Sequence, residues 1–130
     1  MLSKAGIQTD ALVVSSERKT TIKTRVISNG KQMLRIDSED QHDLSSTEMQ
    51  VLQKAILQLL NQGIDGLLLE DYNKGVLTTE LIEWLISEAN ARQSPIAVDP
   101  KKKNFFAYKT SGHDLTTVHL RIKLLELLRQ

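Results

Sequence analysis

The chain has no cysteine, which excludes a disulfide framework, a thiolate zinc site and a cysteine nucleophile. Its three histidines, His42, His113 and His119, are scattered among polar residues and do not form a His-rich metal site. No apolar stretch approaches the about 20 residues that a membrane span needs. The opening residues Met1-Leu2-Ser3-Lys4-Ala5-Gly6 lack the apolar core of a signal peptide, so the expected location is the cytoplasm. Charge of one sign is also missing. A formal net charge of +1 indicates neither a nucleic-acid footprint nor a basic membrane patch. What remains is an ordinary soluble composition, 25% charged and 40% apolar, in 130 residues. That is enough for one domain with a modest core.

The chemistry is expected around Leu67-Leu68-Leu69-Glu70-Asp71-Tyr72-Asn73-Lys74-Gly75-Val76-Leu77-Thr78. An apolar run breaks into charged residues, crosses a glycine and enters a helix pattern at Thr78. This is the profile of a buried strand, a loop and a helix. In open α/β sheets ligands bind beyond the carboxyl ends of the strands, where this Asp…Lys-Gly loop falls. The plainer alternative is a solvated connection that Asn73 and Gly75 merely turn.

The flanking segments are read in the same way. Lys4-Ala5-Gly6-Ile7 resembles a helix end leading to an extended piece, Ala11–Val14. Residues 20–37 carry β-branched and alternating runs around Asn29-Gly30, the pair preferred in a type I′ turn, and predict a hairpin. Ile22, Thr24 and Val26 would share one face, with Lys23, Arg25 and Ile27 on the other. A ribbon half polar on both sides would be marginal alone and needs something to lie against.

Ser45-Ser46-Thr47-Glu48 is a capping box that opens a helix to about Asn61, with Met49, Leu52, Ile56, Leu59 and Leu60 as one buried stripe and Gly63 as its end. Ile64–Leu69 reads as a strand covered on both faces. Thr78 or Thr79 caps a second helix with Leu81, Ile82, Leu85, Ile86 and Ala89 inward and Trp84 at the edge. Ile96-Ala97-Val98 is a strand ending in Asp99-Pro100. Strand–helix–strand at this spacing predicts parallel neighbours, so Asp71 and Lys74 should meet Asp99 and Lys101 at one sheet edge. An acid-and-lysine cluster there suits a phosphorylated ligand or a metal–phosphate pair, while Lys102 and Lys103 read as a solvated turn. After Thr110-Ser111-Gly112-His113-Asp114, residues 115–130 read as a leucine-rich amphipathic helix that needs a partner surface.

Three blocks in register, Thr20–Val26 with Gln32–Asp37, Asp71–Leu77, and Val98-Asp99-Pro100-Lys101, resemble the middle of a PfkB, or ribokinase-type, carbohydrate kinase over roughly residues 5–109. Within that family the nearest likeness is to the heptose 7-phosphate kinases of ADP-heptose synthesis. The resemblance implies a partial ribokinase-like α/β fold, with a β-hairpin lid and a βαβ parallel-sheet unit, in residues 1–109, and a divergent tail in 110–130. It implies a sugar-phosphate acceptor, ATP and Mg2+. It also implies that Lys23 or Arg25 lies near the sugar phosphate, and that Asp71, Lys74 and Asp99 lie along the cleft between substrate and nucleotide.

The family's Asn-x-x-Glu and Gly-Ala-Gly-Asp motifs, which organise magnesium and phosphate and supply the anion hole and general base, do not occur in the chain. No catalytic residue or metal ligand is therefore assigned. The expectation is an internal kinase piece with an unrelated ending, as a truncated or frame-disrupted gene would give, inactive alone. The alternatives are a non-enzymatic module self-associating through the hairpin or the 115–129 helix, and a decayed remnant.

Overall fold

A computed structural model describes residues 2–101 and 104–109. Lys102, Lys103 and the expected helix at 115–130 lie outside the described residues. A short 3-10 turn, Leu2–Ala5, ends at Gly6, whose φ of 73° reverses the chain as expected. The elements that follow are β1 (Ile22–Ser28), β2 (Lys31–Ser38), α1 (Ser46–Gln62), β3 (Leu67–Glu70), α2 (Thr79–Ala91) and β4 (Ile96–Asp99). A second 3-10 turn spans Ala107–Lys109.

β1 and β2 form an antiparallel hairpin from Ile22↔Ser38 to Ser28↔Lys31, with a register shift between Val26 and Ile27. Its turn has positive φ at both Asn29 (48°) and Gly30 (72°), the backbone that the Asn-Gly pair tolerates. Thr20 and Thr21 fall outside the strand. Every residue of β1 is exposed, and in β2 only Asp37 is not. The hairpin is thus not seated on the core by its side chains.

α1 opens on the expected capping box: the Ser45 hydroxyl accepts from the Glu48 N–H, and the Glu48 carboxylate accepts from the Ser45 N–H at 2.9 Å. Its apolar stripe departs from expectation in depth. Only Met49 and Leu60 are buried, whereas Leu52, Ile56 and Leu59 are half-buried. Thr78 caps α2 by accepting from the Leu81 N–H at 3.2 Å. Leu81, Ile82, Leu85, Ile86 and Ala89 are all buried, and Trp84 packs partly buried at the edge of the stripe, as expected.

β3 and β4 pair in parallel from Leu67↔Ile96 to Glu70↔Asp99. The strand is shorter than the apolar run, since Ile64–Gly66 precede it. It is also not covered on both faces: Leu69 is buried but Leu68 is 61% exposed. Alternate residues of a strand point to opposite sides, and among the described residues the shared core of α1, α2 and the sheet lies on the Leu69 and Val98 side. A continuous apolar run does not reveal that Leu69 is buried and Leu68 is not. Burying the α2 face removes four large apolar side chains and the Ala89 methyl from water, at about 1.5–3 kcal/mol for each of the large ones. Arg92 closes the far end, donating to the Glu88 carboxylate at 2.5 Å and to the Asn61 side chain at 3.1 Å, which ties the ends of α2 and α1 together. Fold class is accordingly mixed α/β, with one antiparallel and one parallel pair of strands among the described residues.

Candidate functional site at the carboxyl ends of β3 and β4

The parallel register brings Asp71 and Asp99 side by side, and the Asp71 N–H donates to the Asp99 carbonyl at 3.1 Å. The Asp71 side chain does not face an open cleft. It is 3% exposed and both oxygens are engaged. Oδ1 accepts from the Asn73 N–H at 2.7 Å, a turn that supports the positive φ of Asn73 (54°). Oδ2 accepts from the Tyr108 hydroxyl and from Asn104 Nδ2, both at 3.0 Å. Asn104 also donates to the Leu77 carbonyl at 3.1 Å. Asp71 therefore pins the residues after β4 onto the loop after β3. Burial and the neighbouring Asp71 carboxylate push the Tyr108 hydroxyl well above the usual phenol range.

Lys74 leaves this cluster for another. Its ammonium donates to the Glu39 carboxylate, just beyond β2. Glu39 lies also 3.9 Å from the Lys23 ammonium of β1, which itself pairs with Asp37 at 3.0 Å. One carboxylate, with only 10% of its side chain exposed, thus stands between a lysine of the hairpin and a lysine of the strand-end loop. The Lys74 hydrogen bond, then Gln41, hold the Glu39 carboxyl below its usual range, and Lys23 does the same for Asp37. Arg25 stands opposite Arg35 across the hairpin, exposed, and makes no ion pair among the described residues. Lys101 sits over the Tyr72 ring, 5.5 Å from its centre.

The loop itself is clamped from behind. The Arg18 guanidinium donates to the His42 carbonyl at 2.5 Å and to the Lys74 carbonyl. The Leu44 N–H donates to the Gly75 carbonyl at 3.0 Å. Gly75 has φ 79°, and a β-carbon there would lie 2.5 Å from the His42 carbonyl carbon and closer still to its oxygen. Only glycine fits that approach.

No family model matches the chain. Individual relatives do. Over 107 residues it is 38% identical to the bifunctional protein HldE of Helicobacter pylori, a match covering 82% of this chain and 23% of that protein. For HldE of Aliarcobacter butzleri the figures are 38% over 114 residues, 85% and 23%. For that of Sulfurimonas denitrificans they are 33% over 117 residues, 90% and 24%.

The chain is a relative of the HldE proteins.

It spans about a quarter of the length of these curated relatives. The likeness read from the hairpin, the Asp71–Leu77 loop and Val98–Lys101 is borne out at this level.

Of the five expected site residues, the structure brings Lys23 and Lys74 together through Glu39, places Asp99 beside Asp71 along the backbone, and leaves Arg25 apart on the hairpin. Sequence reasoning missed Arg18, Glu39, Asn104 and Tyr108. Each meets its partner across a long separation, and no local pattern marks such pairs. Among the described residues no three Asp, Glu or His side chains gather as a metal site, Asp71 is fully engaged, and Asp37 and Glu39 are paired with lysines. These residues do not fit magnesium. No helix among the described residues is long and apolar enough to cross a membrane.

Proposed function

We propose that residues 1–109 form the acceptor side of a PfkB-type, ribokinase-like carbohydrate kinase, with heptose 7-phosphate as acceptor and ATP with Mg2+ as donor, and that 110–130 is a divergent tail. The observation that supports this most directly is the convergence of Lys23 and Lys74, from two separate elements, at the carboxyl edge of the parallel strands. Kinship to HldE supports the pathway. Phosphoryl transfer rests on positioning and on charge stabilisation rather than on covalent chemistry by the protein. In this reading Lys23 and Arg25 approach the acceptor's phosphate from the hairpin, while Lys74 and Asp99 line the strand-end side. Asp71 acts from behind, holding the loop through Asn73, Asn104 and Tyr108. The Asn-x-x-Glu and Gly-Ala-Gly-Asp motifs are not in the chain, so the expectation is ligand binding without turnover by this polypeptide alone.

The test is thermal unfolding with heptose 7-phosphate or with ADP. A ligand of the native state at a hundred times its Kd stabilises by about 2.7 kcal/mol. A rise in Tm with the sugar phosphate, lost in Lys23→Gln and Lys74→Gln, is the expected result. No rise, or a rise that both variants retain, would refute the reading.

A second reading has its own observation. Ile22, Val26, Met33, Leu34 and Ile36 are all exposed on the hairpin, an apolar ribbon suited to self-association. A molecular mass rising with concentration, and reverting in a Leu34→Lys variant, would favour it.

A further inference from the structure

We infer that Glu39 is a latch: its carboxylate occupies an anion subsite formed by Lys23 and Lys74, and a phosphate-bearing ligand that takes those two ammonium groups displaces it and resets the angle of the hairpin. This rests on the functional reading above for the place of the ligand, and adds the group that the ligand must displace.

Three observations carry it. First, every residue of β1 and β2 except Asp37 is exposed, so apolar packing does not fix the hairpin's orientation. Beyond the Arg18 clamp on the His42 and Lys74 carbonyls, what joins the hairpin to the body among the described residues is ionic, Glu39 to Lys74 with Lys23 beside Glu39, while Lys19 and Asp40 pair across the hairpin's own base at 2.8 Å. Second, Glu39 is the member that touches both sides, with Lys23 on β1 and Lys74 on the loop after β3. Third, the latch is under-satisfied. Glu39 Oε2 is buried and has no hydrogen-bond partner, and Lys23 is still 3.9 Å away. A buried carboxylate oxygen left without a donor is costly, so the carboxylate is a weaker occupant of this place than a group that satisfies both lysines.

Charge favours the exchange. Arg35 and Lys23 share Asp37, at 2.8 and 3.0 Å, and Lys74 pairs with Glu39, so three cations face two carboxylates, a local surplus of one positive charge. With Glu39 swung out, Lys23, Arg35 and Lys74 stand against Asp37 alone and the surplus rises to two, matching the roughly two negative charges of a phosphate monoester near neutral pH. Its several acceptor oxygens can take hydrogen bonds from both ammonium groups at once.

The absence of cysteine makes the test direct. Exposed Lys31 at the hairpin turn and exposed Gln58 on α1 are replaced, Lys31→Cys and Gln58→Cys, and spin-labelled, and their separation is measured by pulsed electron resonance in the full chain. The probe is inorganic phosphate, against sodium chloride at equal ionic strength to remove screening. The expected result is a narrow distribution that broadens or shifts with phosphate but not with chloride. Glu39→Gln should give the shifted distribution without phosphate. It should also bind phosphate about two- to fivefold more tightly, the factor that a partly exposed ion pair is worth.

If Glu39→Gln leaves both distribution and affinity unchanged while Lys74→Gln abolishes phosphate binding, the latch is overturned and the functional reading stands. If phosphate binds neither the parent nor Glu39→Gln, the displacement fails together with that reading. Weaker phosphate binding by Glu39→Gln also overturns the latch, because the carboxylate would then be supporting the site.

Discussion

Replacing Gly75 with alanine is expected to be the most damaging small substitution in the strand-end loop. The residue sits at φ 79°, where a β-carbon costs about 1–2 kcal/mol. The added atom would also lie 2.5 Å from the His42 carbonyl carbon and 2.9 Å from the Asp43 nitrogen. Both are backbone atoms, so no change of rotamer relieves the clash and residues 42–44 must move away. That movement breaks the Leu44–Gly75 hydrogen bond and pulls the His42 carbonyl from Arg18, which also holds the Lys74 carbonyl. At about 1 kcal/mol for each bond lost, the sum is about 3–5 kcal/mol. A domain has about 5–15 kcal/mol in all. Gly63 is the control. It ends α1 at φ 84°, but nothing lies within 4 Å of its would-be β-carbon, so Gly63→Ala should cost only the backbone term. The assay is urea unfolding of both variants beside the parent, with Tm as a second readout. Gly75→Ala should melt about 10–20 °C below the parent. If the two variants fall within 1 kcal/mol of each other, the packed backbone contact is not the reason for glycine at position 75.

Other outcomes follow from the core and the titrating groups. Ile86→Ala removes a fully buried side chain from the shared cluster and should cost about 2–5 kcal/mol by the same unfolding assay. Tyr108→Phe removes one of two donors from Asp71 Oδ2 and should cost about 1–3 kcal/mol near neutral pH. Because the Tyr108 hydroxyl is raised, it stays protonated in the fold when the unfolded chain ionises. The parent should therefore lose stability as pH rises above about 10, and Tyr108→Phe should flatten that limb of a Tm–pH curve. At the acid end, hydrogen bonds from the Ser15 hydroxyl, then the Ser45 N–H and hydroxyl, hold Glu48 down to about 2. A depressed carboxyl contributes stability that is full above its unfolded value of about 4.5 and fades as pH falls toward 2. Glu48→Gln should weaken this acid dependence, measured by circular dichroism melts between pH 2 and 6.

What was legible in the sequence was local. Asn29-Gly30 marked the hairpin because positive φ at two consecutive residues is a property of that pair. Ser45 with Glu48 marked the start of α1, and Thr78 that of α2, since a cap reaches only three residues. The parallel pairing of β3 and β4 followed from the length of the crossover helix. Depth of burial was not legible. Leu68 and Leu69 are the same residue type in one run, and only the packing of α1 and α2 on one side of the sheet tells them apart. Partners were not legible either. Asp71 and Lys74 were marked as charges at a strand end, but their destinations, Tyr108 on one side and Glu39 on the other, are set by where distant segments return.

The contact at Gly75 has a consequence for the order of folding. It joins backbone to backbone across the whole of α1 and β3, so it cannot form until those elements are in place. Closing so long a loop is an entropic cost that is met before the contact gives anything back. The hairpin and both helices rest on short-range pairs and can form early, whereas the seating of residues 42–44 on the strand-end loop belongs after the main barrier. A Gly75 variant should accordingly fold at nearly the parent's rate and unfold much faster. The lifetime of the native state, more than its speed of formation, then depends on a residue with no side chain.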